Sequence, residues 1–186
     1  MGGYFGAASH NQVVMDVFFG VDYHSHLGTK SAGLAFWDKN NGFRKDIHSI
    51  SNTPFRTKFE KEISDRVGTS GIGCISDTDP QPIIVRSKLG IYGILTTGIV
   101  NNAEELSKDY LAEHNSLFSV QSSGKVNTTE LVAALINEES SIEEGIKKVG
   151  EQIKGSVTIL ILCSDGSCGI QNGGYRTDRR TESRKR

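Results

Sequence analysis

Thr96-Thr97-Gly98-Ile99-Val100-Asn101-Asn102-Ala103-Glu104-Glu105-Leu106 is the stretch that decides the fold of this chain. An apolar strand, Leu89–Thr96, runs into it, and Asn102 stands where a helix begins. The Asn102 side chain is expected to accept from the N–H near Glu105, capping a helix through Leu106 and Tyr110. Downstream, Asn127 to Glu130 repeats that arrangement before Leu131, Val132, Leu135 and Ile136. Ser141 to Glu144 reads as a capping box ahead of Ile142, Ile146, Val149 and Ile153, one apolar stripe. Gly155 ends that helix, Val157–Cys163 is a strand, and Asp165-Gly166 is a hairpin turn.

Upstream the pattern is strand-rich. Gly2–Ser9 predicts a short strand of small residues, and Val13, Val14, Val17, Phe18 and Val21 recur at helical spacing, with Gly28 as the stop. Ser31–Trp37 and Phe43–Ile50 flank the turn Asn40-Asn41-Gly42. Phe55, Phe59, Ile63 and Val67 step by four as one helical stripe. Ser70–Ile75 and Ile83–Arg86 predict two more strands around Asp79-Pro80-Gln81-Pro82. Strands therefore come in adjacent pairs and helices in runs, which argues for α+β layers with antiparallel sheets and against a parallel βαβ sheet.

The 186 residues suit one domain. Lys and Arg number 21 against 22 Asp and Glu, so no overall field gathers a nucleic acid or an acidic membrane. The balance is uneven, because 176–186 carries six basic residues against Asp178 and Glu182, leaving the first 175 residues at −5. That segment has no apolar residue and is expected to be a disordered basic tail over 173–186, after a domain over 1–172. The N-terminus has neither a basic n-region nor a long apolar run, and the Val157–Cys163 stretch is about a third of the roughly 20 residues a spanning helix needs. The expected location is cytoplasmic, with neither nucleic acid nor membrane as a partner.

No residue cluster announces a metal or a cofactor. His24-Ser25-His26 is the closest histidine pair, but at i, i+2 on a helix the rings point about 200° apart. Cys163 and Cys168 would face each other across a two-residue Asp165-Gly166 hairpin. Three cysteines in such a chain nevertheless favour reduced thiols. Phosphate-loop and dinucleotide motifs are absent, and Gly71-Ile72-Gly73 reads as close backbone packing within a strand.

Six islands remain: Gly2-Gly3-Tyr4-Phe5-Gly6, Ser31-Ala32-Gly33, Gly71-Ile72-Gly73-Cys74, Pro80-Gln81-Pro82, the opening stretch 96–106, and Asn127-Thr128-Thr129-Glu130. In order and spacing they resemble the class II glutamine amidotransferase domain, above all the glutaminase half of amidophosphoribosyltransferases of purine biosynthesis. The resemblance covers about residues 2–170. It implies a four-layer αββα sandwich of two antiparallel sheets, the N-terminal-nucleophile hydrolase fold. It also implies a phosphoribosyltransferase domain as partner in the full-length protein, and homo-oligomers.

The resemblance further implies where the chemistry belongs. An N-terminal Cys of the family attacks the glutamine amide, with its own α-amino group as base; the matching residue here is Gly2. An Arg that grips the glutamine carboxylate matches Ser76. The oxyanion pair Asn-Gly matches Thr97-Gly98, and the Asp that holds the glutamine ammonium matches Thr128. Nucleophile, clamp, one oxyanion donor and ammonium partner are thus all replaced. The expectation is a catalytically degenerate glutaminase-like domain with a structural or regulatory role. Two alternatives stay open: an active hydrolase using Thr97, Thr96, Ser76 or Cys74 with Asp77 as base, or a domain that binds a small effector. Because Ser76, Thr97 and Thr128 carry no charge, a zwitterion is expected to bind that pocket poorly.

Overall fold

A computed structural model of the chain describes residues 2–119, 124–166 and 168–173. Its elements run β1 (Gly3–Ala8), α1 (Val14–Tyr23), β2 (Ser31–Asp38), β3 (Gly42–Ser49), α2 (Phe55–Ile63) and β4 (Ser70–Ser76). They continue with β5 (Ile83–Ser87), β6 (Gly90–Val100), α3 (Ala103–Glu113), α4 (Thr128–Ile136), α5 (Ile142–Gln152), β7 (Gly155–Cys163) and β8 (Cys168–Gly173). Two four-stranded antiparallel sheets result, ordered β1-β4-β2-β3 and β5-β6-β7-β8.

Three apolar clusters separate four layers. Val14, Val17, Phe18 and Val21 of α1 pack with Phe55 and Phe59 of α2 on Leu34, Phe36 and Ile75 of the first sheet. Ile72 and Cys74 meet Leu95, Leu160 and Leu162 between the sheets. Tyr92, Ile94, Ile159 and Ile161 face Leu131, Leu135 and Val149 of the second helical layer. Alternation along each strand sends successive side chains to opposite faces, so each sheet buries both. The αββα sandwich implied by the sequence is the architecture observed.

The glycines of β4 have a packing reason. A Cβ on Gly71 would lie 2.5 Å from the Phe36 ring, and one on Gly73 would lie 2.5 Å from Leu34 and 2.7 Å from Val21. Asn127 caps α4 by accepting from the Glu130 N–H at 3.0 Å, and Ser141 caps α5 by accepting from the Glu144 N–H at 3.2 Å, as their spacing predicts.

Three local expectations are corrected. Asn102 precedes α3 but does not cap it. Its Oδ1 accepts from the Lys154 N–H at 2.8 Å and its Nδ2 donates to the Gln152 carbonyl at 3.0 Å, tying α3 to the α5–β7 connection. Val67 lies beyond α2, which ends at Ile63, and is 42% exposed, because the chain must leave the helix to enter β4. In the β7–β8 hairpin, Leu162 rather than Cys163 stands opposite Cys168, since the connection is longer than two residues. The basic segment 174–186 lies outside the described residues, and β8 extends the folded part to Gly173.

Candidate functional site

Four of the five site residues expected from sequence surround one small cavity. Gly2 precedes β1, Ser76 ends β4, and Thr97 and Gly98 lie near the end of β6; all four line a space of about 20 Å³, beneath which sit Gln81 and Thr96. That volume is about the size needed for a single water. Thr128, at the start of α4, lies instead in an adjoining open cleft of about 550 Å³, which Gly98 also borders.

Each position has a local cause. A Cβ built on Gly2 would lie 2.3 Å from the Ile75 carbonyl oxygen, so no side chain fits there without a backbone shift. Gly98 has φ +127°, and a Cβ there would lie 2.1 Å from the Ser156 carbonyl oxygen. Only glycine adopts that conformation without strain beside β7. Ser76 is buried, and its Oγ accepts from the Thr78 N–H at 3.1 Å and lies 3.2 Å from the Thr78 hydroxyl.

A buried polar network lies under the cavity, and its centre is Gln81. The Gln81 carboxamide accepts from the Thr96 N–H at 2.8 Å and donates to the Thr96 carbonyl at 2.7 Å. The same Oε1 accepts from the Thr129 hydroxyl at 2.8 Å, and Thr129 and Thr96 hydroxyls are 2.7 Å apart. The Gln81 amide also reaches Ser76 Oγ at 3.4 Å. One side chain therefore connects β4, β6 and α4, and nearly all of its hydrogen-bonding capacity is used internally.

Asp79 is the second residue that spacing alone did not single out. It is 4% exposed, and its carboxylate accepts from the Thr128 N–H at 2.9 Å at the start of α4. Burial pushes its carboxyl above the ordinary range, opposed by the hydrogen bonds from Thr128 and Thr129. The protein's own acid thus occupies the positive end of this helix, where an anionic ligand would otherwise be attracted. Asp77, by contrast, is held below the ordinary range, chiefly because the Thr29 N–H donates to it at 2.7 Å.

The alternative nucleophiles fare unequally. Cys74 is fully buried, donates to the Gln81 carbonyl at 3.6 Å, and has its thiol pushed up to about 12 by burial. Thr96 and Ser76 are engaged in the network just described. Thr97 is half-buried on the cavity wall. His24 and His26 lie against carbonyls of the α1 end, His24 Nδ1 2.8 Å from Gly20 and His26 Nδ1 3.1 Å from Tyr23. Among the described residues no group of three or more His, Cys, Asp or Glu is arranged to hold a metal.

Asp77 lines both spaces, and the adjoining cleft carries both signs of charge. Lys30, Lys125, Asp77, Asp79 and Glu104 line it, with backbone from the end of β6. The Pro80-Gln81-Pro82 run was a usable signal for the network, since two prolines fix the backbone that aims one amide. Nothing local in the sequence placed Lys30 and Lys125 beside it.

No family model matches the chain. It is 24% identical over 151 residues to the amidophosphoribosyltransferase of Archaeoglobus fulgidus, a match covering 79% of this chain and 33% of that protein. It is 28% identical over 173 residues to the glutamine–fructose-6-phosphate aminotransferase (isomerizing) of Caldanaerobacter subterraneus subsp. tengcongensis, covering 88% and 26%. Two solved structures resemble it. One is the glutamine phosphoribosylpyrophosphate amidotransferase of B. subtilis in complex with ADP and GMP, with a TM-score of 0.73 at 22% identity, covering 88% of this chain and 35% of that one. The other is described as the allosteric regulatory enzyme of purine biosynthesis, with a TM-score of 0.74 at 23% identity, covering 88% and 36%. The chain spans about a third or less of the length of the relatives it matches. Its fold is that of the class II glutamine amidotransferase domain. Among the described residues no helix is long and apolar enough to cross a membrane.

Proposed function

We propose that the chain is the glutaminase-like domain of an amidophosphoribosyltransferase-like protein of purine biosynthesis, catalytically degenerate and kept for a structural or regulatory role. The observation that carries this reading is the cavity of about 20 Å³ where the family's glutamine would react. Gly2 offers no nucleophile, and losing an oxyanion donor alone typically costs roughly 10²–10³ in rate. Ser76, in place of a clamp, is already bonded to Thr78. A phosphoribosyltransferase domain as covalent partner, self-association and a cytosolic location belong to the same reading. Incubation with isotope-labelled glutamine tests it: no glutamate above a heat-killed control is expected, and release above that control overturns degeneracy.

A second reading, small-effector binding, is favoured by one observation, the cleft of about 550 Å³ beside the small cavity. That volume lies within the range of ligand pockets, roughly 300–1,000 Å³. Its lining carries both signs of charge, so the expectation of poor zwitterion binding, argued from the uncharged Ser76, Thr97 and Thr128, does not extend to this cleft. Thermal-shift screening with free amino acids and with nucleotides separates the two readings. A shift with either class supports effector binding, and none with both removes it.

A further inference from the structure

Two asparagines of the chain are followed by glycine, Asn41 and Asn172. Glycine at the next position leaves the peptide nitrogen without the Cβ that would crowd its approach to the asparagine side chain. The two pairs sit in different surroundings. Asn172 lies within β8 opposite Thr158 of β7, in a ladder that resists local bending of the backbone. Asn41 is exposed and ends the three-residue connection between β2 and β3. A Cβ built on Gly42 would meet nothing within 4 Å, so the space around this peptide is open.

One carboxylate holds the turn. Asp38 is buried and closes the β2–β3 pairing opposite Gly42. Its Oδ1 accepts from the Asn40 N–H at 2.9 Å, from the Asn41 N–H at 3.3 Å and from the Asn41 side-chain amide at 2.9 Å. Three donors on one oxygen suit an anion. The side chain at position 41 must therefore donate, because a carboxylate there would face Asp38 across a hydrogen-bond distance as a like charge.

We propose that Asn41 is a site of self-modification, at which the Gly42 backbone nitrogen displaces the side-chain amide and leaves a carboxylate against Asp38. The Gly42 nitrogen gives its proton to solvent and bonds to the Asn41 Cγ. The Cγ–Nδ2 bond breaks, and Nδ2 leaves as ammonia after taking a proton back from solvent. Water then opens the cyclic imide at either of its carbonyls, giving aspartate or isoaspartate, with no change of oxidation state. The step needs neither glutaminase activity nor a bound effector. Its product turns the contact that closes the turn from attraction to repulsion. β3 is the outer strand of its sheet and is tied to α2 by Asp46–Arg66 and His48–Glu62, so the loosening is expected to be felt along that strand.

Prolonged incubation of the full chain in mildly alkaline buffer, followed by peptide mass spectrometry, tests it. The peptide containing Asn41 is expected to gain about one mass unit, localised to position 41 by fragmentation, and to separate into aspartate and isoaspartate forms. This conversion is expected to run ahead of that at Asn172, and Asn41→Gln, which would need a larger ring, is expected to stay unchanged. Asn41→Asp imitates the product and is expected to lower the urea midpoint, part of which Asp38→Asn in the same chain recovers. Should Asn41→Asp fail to fold, recovery of folding in the double variant supports the proposal equally. An unmodified Asn41, conversion no faster than at Asn172, an Asn41→Asp midpoint equal to the parent's, or no recovery by Asp38→Asn each overturns it.

Discussion

Gln81 holds Thr96 as a neighbouring strand would. Its carboxamide accepts from the Thr96 N–H at 2.8 Å and donates to the Thr96 carbonyl at 2.7 Å, an exchange of two bonds with one backbone residue. The same oxygen also takes the Thr129 hydroxyl, which keeps the Thr96 hydroxyl 2.7 Å away as a partner, so removing the amide strands the two buried backbone groups of Thr96. Gln81→Leu is therefore expected to destabilise the fold by about 2 kcal/mol or more, given about 1–3 kcal/mol per buried unsatisfied group. Urea unfolding measures this, and a midpoint within error of the parent would show that water or a rearrangement replaces the amide.

Asp79 makes stability depend on pH with a definite sign. Its folded pKa lies above the unfolded value of 3.8, so the folded state binds the proton more tightly. Its contribution is then fully present below 3.8 and declines as pH rises through the interval up to the folded value. Asp79→Asn keeps an oxygen for the Thr128 N–H and cannot ionise. The difference between parent and variant stabilities, followed by urea midpoints across acid pH, is expected to move in the variant's favour as pH rises. A flat difference would refute the assignment.

Gly2→Cys restores the family's nucleophile in name only. The new Cβ would sit 2.3 Å from the Ile75 carbonyl oxygen, and the cavity in front of it holds about one water. On the proposed reading, in which Ser76 and Thr128 stand in place of the clamp and the ammonium partner, the variant is expected to release no labelled glutamate above the heat-killed control. Turnover by this single variant would show that those positions are misassigned.

Cys74 is expected to be chemically silent in the folded chain. Its thiol is buried between the sheets and raised to about 12, so the reactive thiolate is scarce at pH 8. Alkylation followed by mass spectrometry should leave Cys74 unmodified in buffer and modified in denaturant. Labelling at equal rates in both would place it outside the core.

The layer order was legible because it depends on patterns that repeat within a few residues. The caps at Asn127 and Ser141 and the paired strands around Asn40-Asn41-Gly42 belong to this kind. Asn102 shows where local reading stops: its spacing to Glu105 suits a cap, yet groups at Gln152 and Lys154, far along the chain, take both ends of its amide. The same holds for Cys163, whose offset from Cys168 depends on how the β7–β8 connection closes. Ser76, Thr97, Gly98 and Thr128 are singled out by resemblance alone; the structure brings the first three together with Gly2 and sets Thr128 in the adjoining cleft. Asp79 and the Gln81 network escaped because their partners are remote in sequence and their role exists only after the two sheets stack.

The bonding around Ser76 acts as a ratchet. Exchanging it for a long cationic side chain would demand a volume many times the 20 Å³ at hand and would surrender the bonds to Thr78 and Gln81. On the proposed reading, a single exchange of Ser76 for a charged clamp therefore starts downhill in stability, with Gly2 and Thr128 still in place of the nucleophile and the ammonium partner. A pocket packed in this way would be held so by its own core.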